Sequence, residues 1–243
     1  MIRLLMLGSL DLSGAPQDAA DRVIAQPKLF ALLAYLVLAA PRGLHRRDKL
    51  LSLFWRELDE DASRNALSKS VHLLRKQLGD GLIASRGTQE LGVDPAGLSC
   101  DVFEFERLVA EGKWEDADGL YRGHLMDGFN LPSAPEFDDW LDRERQRLRR
   151  RAAEVALRIA RIRQASGANG AAASMARRAI DLASMNEEAI REALRLFVLL
   201  GDRAGAVRMY AEFERQLSRD LGLAPSEETQ ALIATIRAGG EVS

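Results

Sequence analysis

Asp61-Ala62-Ser63-Arg64-Asn65-Ala66-Leu67-Ser68-Lys69-Ser70-Val71-His72-Leu73-Leu74-Arg75-Lys76-Gln77-Leu78-Gly79 is the stretch on which the reading of this chain turns. At about 100° per residue, Leu67, Val71, Leu74 and Leu78 fall within one narrow arc of a helix, the arc that must face a core. The opposite arc carries Asn65, Ser68, Lys69, His72 and Lys76, with Arg64 and Arg75 on its flank. No acidic residue interrupts this face between Arg64 and Leu78. The spacing predicts a helix over 62–78, with turn and cap residues in Asp59-Glu60-Asp61 and a left-handed cap at Gly79. Leu73 lies off the apolar arc, beside Lys69 and Lys76, which argues against a place in its own domain's core.

A shorter helix is predicted just upstream, over 46–55, with Leu50, Leu51 and Phe54 on its apolar side and Arg46, Arg47 and Lys49 on its polar side. A short helix, a turn and a longer donor-rich helix suit insertion of the second helix into the major groove of duplex DNA. Lysine and arginine would pair with phosphates, while Asn, His and Arg reach base edges. The bland alternative is a solvated helix face. The segment beyond Gly79 favours the groove. Leu82, Ile83 and Ser85 lead into Arg86-Gly87-Thr88, and Leu91 and Val93 come after, two extended runs around a glycine-containing tip. A hairpin there would act as a wing, with Arg86 and Thr88 at its tip, near a phosphate or the minor groove.

Upstream, residues 2–12 alternate imperfectly and predict one or two short strands, with a further short strand near Arg22–Ala25. Pro27 can start a helix, and Leu29, Leu32, Leu33, Leu36 and Val37 share one buried face until Pro41-Arg42-Gly43 ends it. The apolar run Leu29–Ala40 falls short of the roughly 20 residues a membrane span requires. Residues 1–99 therefore predict a winged helix-turn-helix, with small strands, three helices and a closing hairpin.

From Asp101 onward the pattern is helical almost to the end, so a domain boundary falls near residue 100, giving domains 1–99 and 100–243. Gly167-Ala168-Asn169-Gly170-Ala171-Ala172 and Gly201-Asp202-Arg203-Ala204-Gly205-Ala206 stand 34 residues apart, the tetratricopeptide period. At that offset Ala176 matches Tyr210, Ala179 matches Phe213, and Ala160 matches Leu194. Gly112-Lys113-Trp114 reads as an earlier copy of the same turn. The second domain is expected to be all-α and tetratricopeptide-like, and soluble when expressed from about residue 101.

The residues Ser63-Arg64-Asn65-Ala66-Leu67 through Val71, then Leu74-Arg75-Lys76 and Leu78-Gly79, resemble an OmpR/PhoB-like winged helix. More closely, they resemble the antibiotic-regulatory-protein family of bacterial transcription activators, which join that domain to a bacterial transcriptional activator domain. Trp55 at the end of the shorter helix matches as well. Downstream, Leu120-Tyr121-Arg122-Gly123, Asp127-Gly128-Phe129, Phe137-Asp138-Asp139-Trp140-Leu141 and Glu144-Arg145 resemble the early part of the activator domain. Asp220-Leu221-Gly222-Leu223-Ala224-Pro225-Ser226 resembles its closing signature, so the likeness spans roughly residues 2 to 236. It implies a DNA-binding winged helix followed by tetratricopeptide-like helices. The chain departs from the family at Leu73, where an Arg is usual, and at Gln89-Glu90-Leu91, where the wing usually carries a Gly-Tyr step.

Across 243 residues, 34 Lys and Arg face 36 Asp and Glu. Such a near-neutral balance excludes a coat-like basic protein. Cys100 stands alone, which excludes a disulfide framework and fits a reducing cytoplasm. No phosphate loop with its Lys-Ser/Thr is present, and His45, His72 and His124 lack metal-ligand spacing. Asp138-Asp139 read as a helix start or exposed face, Trp114 and Trp140 as anchors between helices. No catalysis, metal or cofactor is expected.

The sequence thus predicts a cytoplasmic transcription regulator, an activator, that contacts duplex DNA through Arg46, Arg47, Arg64, Asn65, Ser68, Lys69, His72, Leu73, Arg75, Lys76, Arg86 and Thr88. The helical domain would meet RNA polymerase, a second copy of the chain as a homodimer, or an effector, and no membrane. Two alternatives stay open: a protein-interaction scaffold, and the sensory front end of a longer signalling chain.

Overall fold

The structure is a computed structural model that describes residues 1–183 and 185–241. In chain order its elements are β1 (Ile2–Leu5), β2 (Asp11–Ser13), α1 (Gln17–Ile24), α2 (Pro27–Leu38), β3 (His45–Arg46), α3 (Arg47–Phe54), α4 (Glu60–Leu78), β4 (Ile83–Arg86), β5 (Glu90–Val93) and β6 (Leu98–Cys100). They continue with α5 (Asp101–Ala110), α6 (Trp114–Leu120), α7 (Pro135–Ala165), α8 (Asn169–Ala183), α9 (Glu187–Leu199), α10 (Arg203–Leu221) and α11 (Glu227–Arg237). None of these helices is long and apolar enough to cross a membrane.

Two expectations need correction. The strand expected near Arg22–Ala25 is instead the end of α1. Ala19, Ala20 and Val23 are buried together, and that helical spacing outweighs a short apolar run. Gly79 does follow α4 at positive φ, but with φ 105° and ψ 141° it turns extended and not left-handed helical. The chain must leave α4 directly toward β4, and only glycine takes that φ without steric cost.

β1 pairs antiparallel with β2 and parallel with β6, while β5 lies between β3 and β4 in an antiparallel sheet. The predicted wing is β4–β5, in the register Ile83↔Val93 to Arg86↔Glu90.

By packing, the chain forms two compact units: residues 1–107 with 120–145, and residues 108–119 with 146–243. In the first, α2 is buried from Leu29 through Leu38, apolar on every side. Tyr35 lies 4.8 Å from Trp140 and 6.1 Å from Phe54, ring centre to ring centre, and Phe54 lies 5.2 Å from Phe137. Residues 120–145, expected to belong with the helical repeats, thus complete the core around α2 and α3. A fragment starting at residue 101 would carry Phe129, Phe137 and Trp140 without these partners.

Polar contacts fix the same arrangement. Asp101 Oδ2 accepts the Met6 and Leu7 amides, both at 2.8 Å. Burial raises the Asp101 carboxyl above its ordinary range, although these amides pull the other way. Arg145 donates to the carbonyls of Leu125 at 2.9 Å and of Met126 and Phe129 at 2.6 Å, closing the 125–129 turn. Asp138 accepts the Leu131 amide at 2.8 Å, a local cap consistent with a helix start. A Cβ on Gly123 would stand 2.8 Å from Gly8 Cα, so backbone meets backbone there.

The second unit repeats one helix ending. At Gly112, Gly167 and Gly201 φ is +72°, +77° and +79°. After each, paired bonds run backward: Gly112 N–H to Val109 and Lys113 N–H to Leu108, Gly167 to Gln164 and Ala168 to Arg163, Gly201 to Val198 and Asp202 to Phe197. This is the Schellman pattern, which satisfies the last carbonyls of a helix and sends the chain back antiparallel. Ala172, Ala176 and Ala179 of α8 and Ala206, Tyr210 and Phe213 of α10 are all buried, so the 34-residue offset places matching residues at matching crossings.

Candidate nucleic-acid interface

The interface is built on α4, whose Asp59 cap accepts the Ala62 amide at 2.8 Å. Leu67, Val71, Leu74 and Leu78 are buried, which fixes the helix about its axis. Arg64, Asn65, Ser68, Lys69, His72 and Lys76 are exposed in consequence, as a single face. Leu73 is half-buried at its margin.

The cations differ in how free they are. Arg46 pairs with Asp48 at 3.2 Å, Arg64 with Glu60, and Arg86 with Glu90 at 2.5 Å. All three arginine side chains are more than half exposed, at 70%, 59% and 72%. Exposed pairs of this kind are worth about 0–1 kcal/mol, little enough to be exchanged for a phosphate. Among the described residues no such pair engages Lys69 or Lys76.

Arg75 is placed otherwise. Its Nε and Nη2 donate to the Ile83 carbonyl at 3.2 and 2.9 Å, and Nη2 also donates to Ser85 Oγ at 2.8 Å. The guanidinium therefore ties α4 to β4, a role that its sequence position, on the flank of the polar arc, does not reveal.

Arg47 begins α3, with its amide donating to the Gln89 carbonyl at 2.8 Å. Its side-chain Nε is buried without a hydrogen-bond partner. Burial, with Arg75 nearby, pulls its pKa below the ordinary guanidinium value. Thr88 and Gln89 are exposed in the turn between β4 and β5. Gln89, read in the sequence only as a departure from the wing pattern, holds the start of α3.

His45 sits beneath this surface, buried, its ring 5.5 Å from Tyr35. Burial, then the Lys49 charge, lowers its pKa. Cys100 is buried as well, its thiol pushed up to about 12 by burial and then by Asp101. Among the described residues no group of three or more His, Cys, Asp or Glu is placed to hold a metal ion.

The whole chain can be laid on that of Mycobacterium tuberculosis EmbR, a structure in complex with a low affinity phosphopeptide, with a TM-score of 0.68 at 20% identity. The match covers 100% of this chain and 66% of that one, so this chain spans about two thirds of EmbR's length and shares its fold. No curated protein matches the chain. Residues 100–237 match the bacterial transcriptional activator domain, more than half of the chain. With a winged-helix fold ahead of these all-α repeats, the chain belongs to the bacterial transcriptional activator domain family.

Proposed function

We propose that the protein is a transcription regulator, an activator, that binds duplex DNA by inserting α4 into the major groove. The observation that carries this reading is the exposed face of Arg64, Asn65, Ser68, Lys69, His72 and Lys76, held outward by four buried apolar residues and free of acid from Arg64 to Leu78. Lys69 and Lys76 supply phosphate charge, while Asn65 and His72 are the side chains for base edges. Arg46 and Arg86 approach phosphates from the end of β3 and the wing tip. Arg75 acts through the wing it holds. Residues 1–99 supply the DNA-reading module, and residues 100–243 meet RNA polymerase or a second copy in the cytoplasm. A family of transcriptional activators is one of regulators, and the chemistry here is recognition without catalysis.

Titration of the full chain into a fluorescently labelled random-sequence duplex tests this. Binding should weaken steeply with salt, with a slope matching about 4–6 phosphates. Replacing Lys69 and Lys76 together by Ala should flatten that slope by about 2 without altering the melting temperature. Absence of duplex binding at low salt would favour the scaffold reading and sink this one.

A further inference from the structure

A crevice of about 230 Å³ opens in the second unit between residues 109–114, α7 and α9. Val109, Val155 and Leu157 give it a buried apolar floor. Its rim is charged. Arg151 pairs with Glu154 and Arg161 with Glu192, both at 2.8 Å, so the two carboxylates at the rim are taken. Arg158 has no such partner among the described residues, and its guanidinium lies over the half-buried Trp114 ring, 5.8 Å from the ring centre. Trp114 is itself out of step with the repeat: the residues that open α8 and α10 after the same glycine turn are Asn169 and Arg203, both polar. An aromatic ring and arginines above an apolar floor are the side chains that anchor protein contacts. The volume is below the roughly 300–1,000 Å³ of a small-molecule site and suits a single side chain.

We infer that this crevice takes residues 221–227 of a second copy of the chain, with Leu223 on the floor and Glu227 on Arg158. Leu221 and Leu223 are 56% and 58% exposed, one residue apart. Single exposed leucines are common, but these two stand together on a fixed loop. Gly222 caps α10 at φ 67°, and its amide donates to the Ser218 carbonyl at 2.9 Å. Gln230 Nε2 donates to the Pro225 carbonyl at 2.7 Å, and Glu187 accepts the Ser226 amide at 3.0 Å. A loop already held in shape loses little freedom on docking. Glu227 is exposed and, among the described residues, without an ion pair. A free carboxylate beside an apolar knob thus meets a free guanidinium beside an apolar floor. Each copy carries one knob and one crevice, and a two-fold pair closes with two equal contacts. The contact is small and partly ionic, so the pair is reversible and weakens with salt.

The inference rests on the second-copy part of the proposed function and not on DNA binding, and its test separates the surface from that reading. The full chain is sedimented across a concentration series at low and high salt. Beside it run Leu221→Ser with Leu223→Ser, Arg158→Glu alone, and Arg158→Glu with Glu227→Arg. The contact predicts that the parent self-associates, and more weakly at high salt. The leucine variant and Arg158→Glu should each weaken association about tenfold or more, at melting temperatures near the parent's, because every altered side chain is exposed. The charge swap should recover most of the association that Arg158→Glu loses, which a folding defect does not mimic. Should the parent associate while the leucine variant and Arg158→Glu keep its dimerisation constant, this surface is overturned and the second-copy reading stands. A swap that recovers nothing overturns the pairing of Glu227 with Arg158. A parent that stays monomeric at every concentration sinks both the surface and the second-copy reading, and leaves the DNA reading to its own titration.

Discussion

Arg75 Nη2 donates to the Ile83 carbonyl at 2.9 Å, joining α4 to β4, the first strand of the wing. Two elements of the proposed DNA interface are thereby held in one geometry. A further bond to Ser85 Oγ, at 2.8 Å, extends the clasp along β4. Replacing Arg75 by Met should cost about 1–2 kcal/mol in denaturant unfolding, the scale of charge-assisted bonds at a partly exposed site. Duplex affinity should fall as the wing loosens, while the salt slope changes by less than it does for Lys69→Ala. Equal slope losses in the two variants would place Arg75 on a phosphate instead.

Leu73 stands half-buried at the margin of the α4 face, one residue from His72. An apolar group there can meet a thymine methyl, whereas Arg would add a phosphate or guanine contact. Leu73→Arg should fold normally and tighten duplex binding by about tenfold, with altered base preference at one position. Selection of bound sites from random duplex checks the preference, and fluorescence anisotropy the affinity. If sedimentation instead shows weakened self-association and duplex binding is unchanged, Leu73 belongs to a protein contact.

Ala172 and Ala206 are fully buried in α8 and α10, at equivalent places in the 34-residue repeat. Leu at either site should overpack its helix crossing and lower stability by about 1–3 kcal/mol in thermal or urea melts. Parent-like melting of both variants would show that the crossings have room to spare.

Glu187 caps the junction of α9 and α11. It accepts the Ser226 amide at 3.0 Å, the Thr229 hydroxyl at 2.5 Å and the Ser226 hydroxyl. Burial works against its charge, yet the Ser226 and Thr229 donors and Arg191 bring its pKa below the ordinary glutamate value. A depressed folded pKa contributes stability that is complete above the unfolded value and vanishes as pH falls through the folded one. The stability gap between the parent and Glu187→Gln should therefore be constant near neutrality and shrink on acidification below the ordinary glutamate range. A gap independent of pH across that window would show that the charge of Glu187 is not what holds the junction.

The sequence is most legible where a feature repeats. The two faces of α4 follow from period alone, because 19 residues give the apolar positions five turns in which to agree. Gly112, Gly167 and Gly201 announce helix ends because few other residues adopt their φ. Illegible elements are short or depend on distant partners. β3 has 2 residues and β6 has 3, too few for alternation to register. That Phe137 and Trp140 pack beside Tyr35 and Phe54 follows from contacts about 80–105 residues apart in the chain, which no local pattern encodes. Arg75 reads as part of the DNA face because its acceptor, the Ile83 carbonyl, becomes available only once β4 is in place.

The interleaving of the two compact units bears on how the protein is made. Because the core around α2 draws on residues 120–145, its packing is incomplete while those residues are still inside the ribosome. At about 5–20 residues per second, Tyr35 and Phe54 leave the tunnel several seconds before Phe137 and Trp140 arrive to cover them. During that interval the apolar surface of α2 lies open to chaperones. A chain that ends before these residues would leave Tyr35 and Phe54 without the Trp140 and Phe137 rings that cover them in the finished protein.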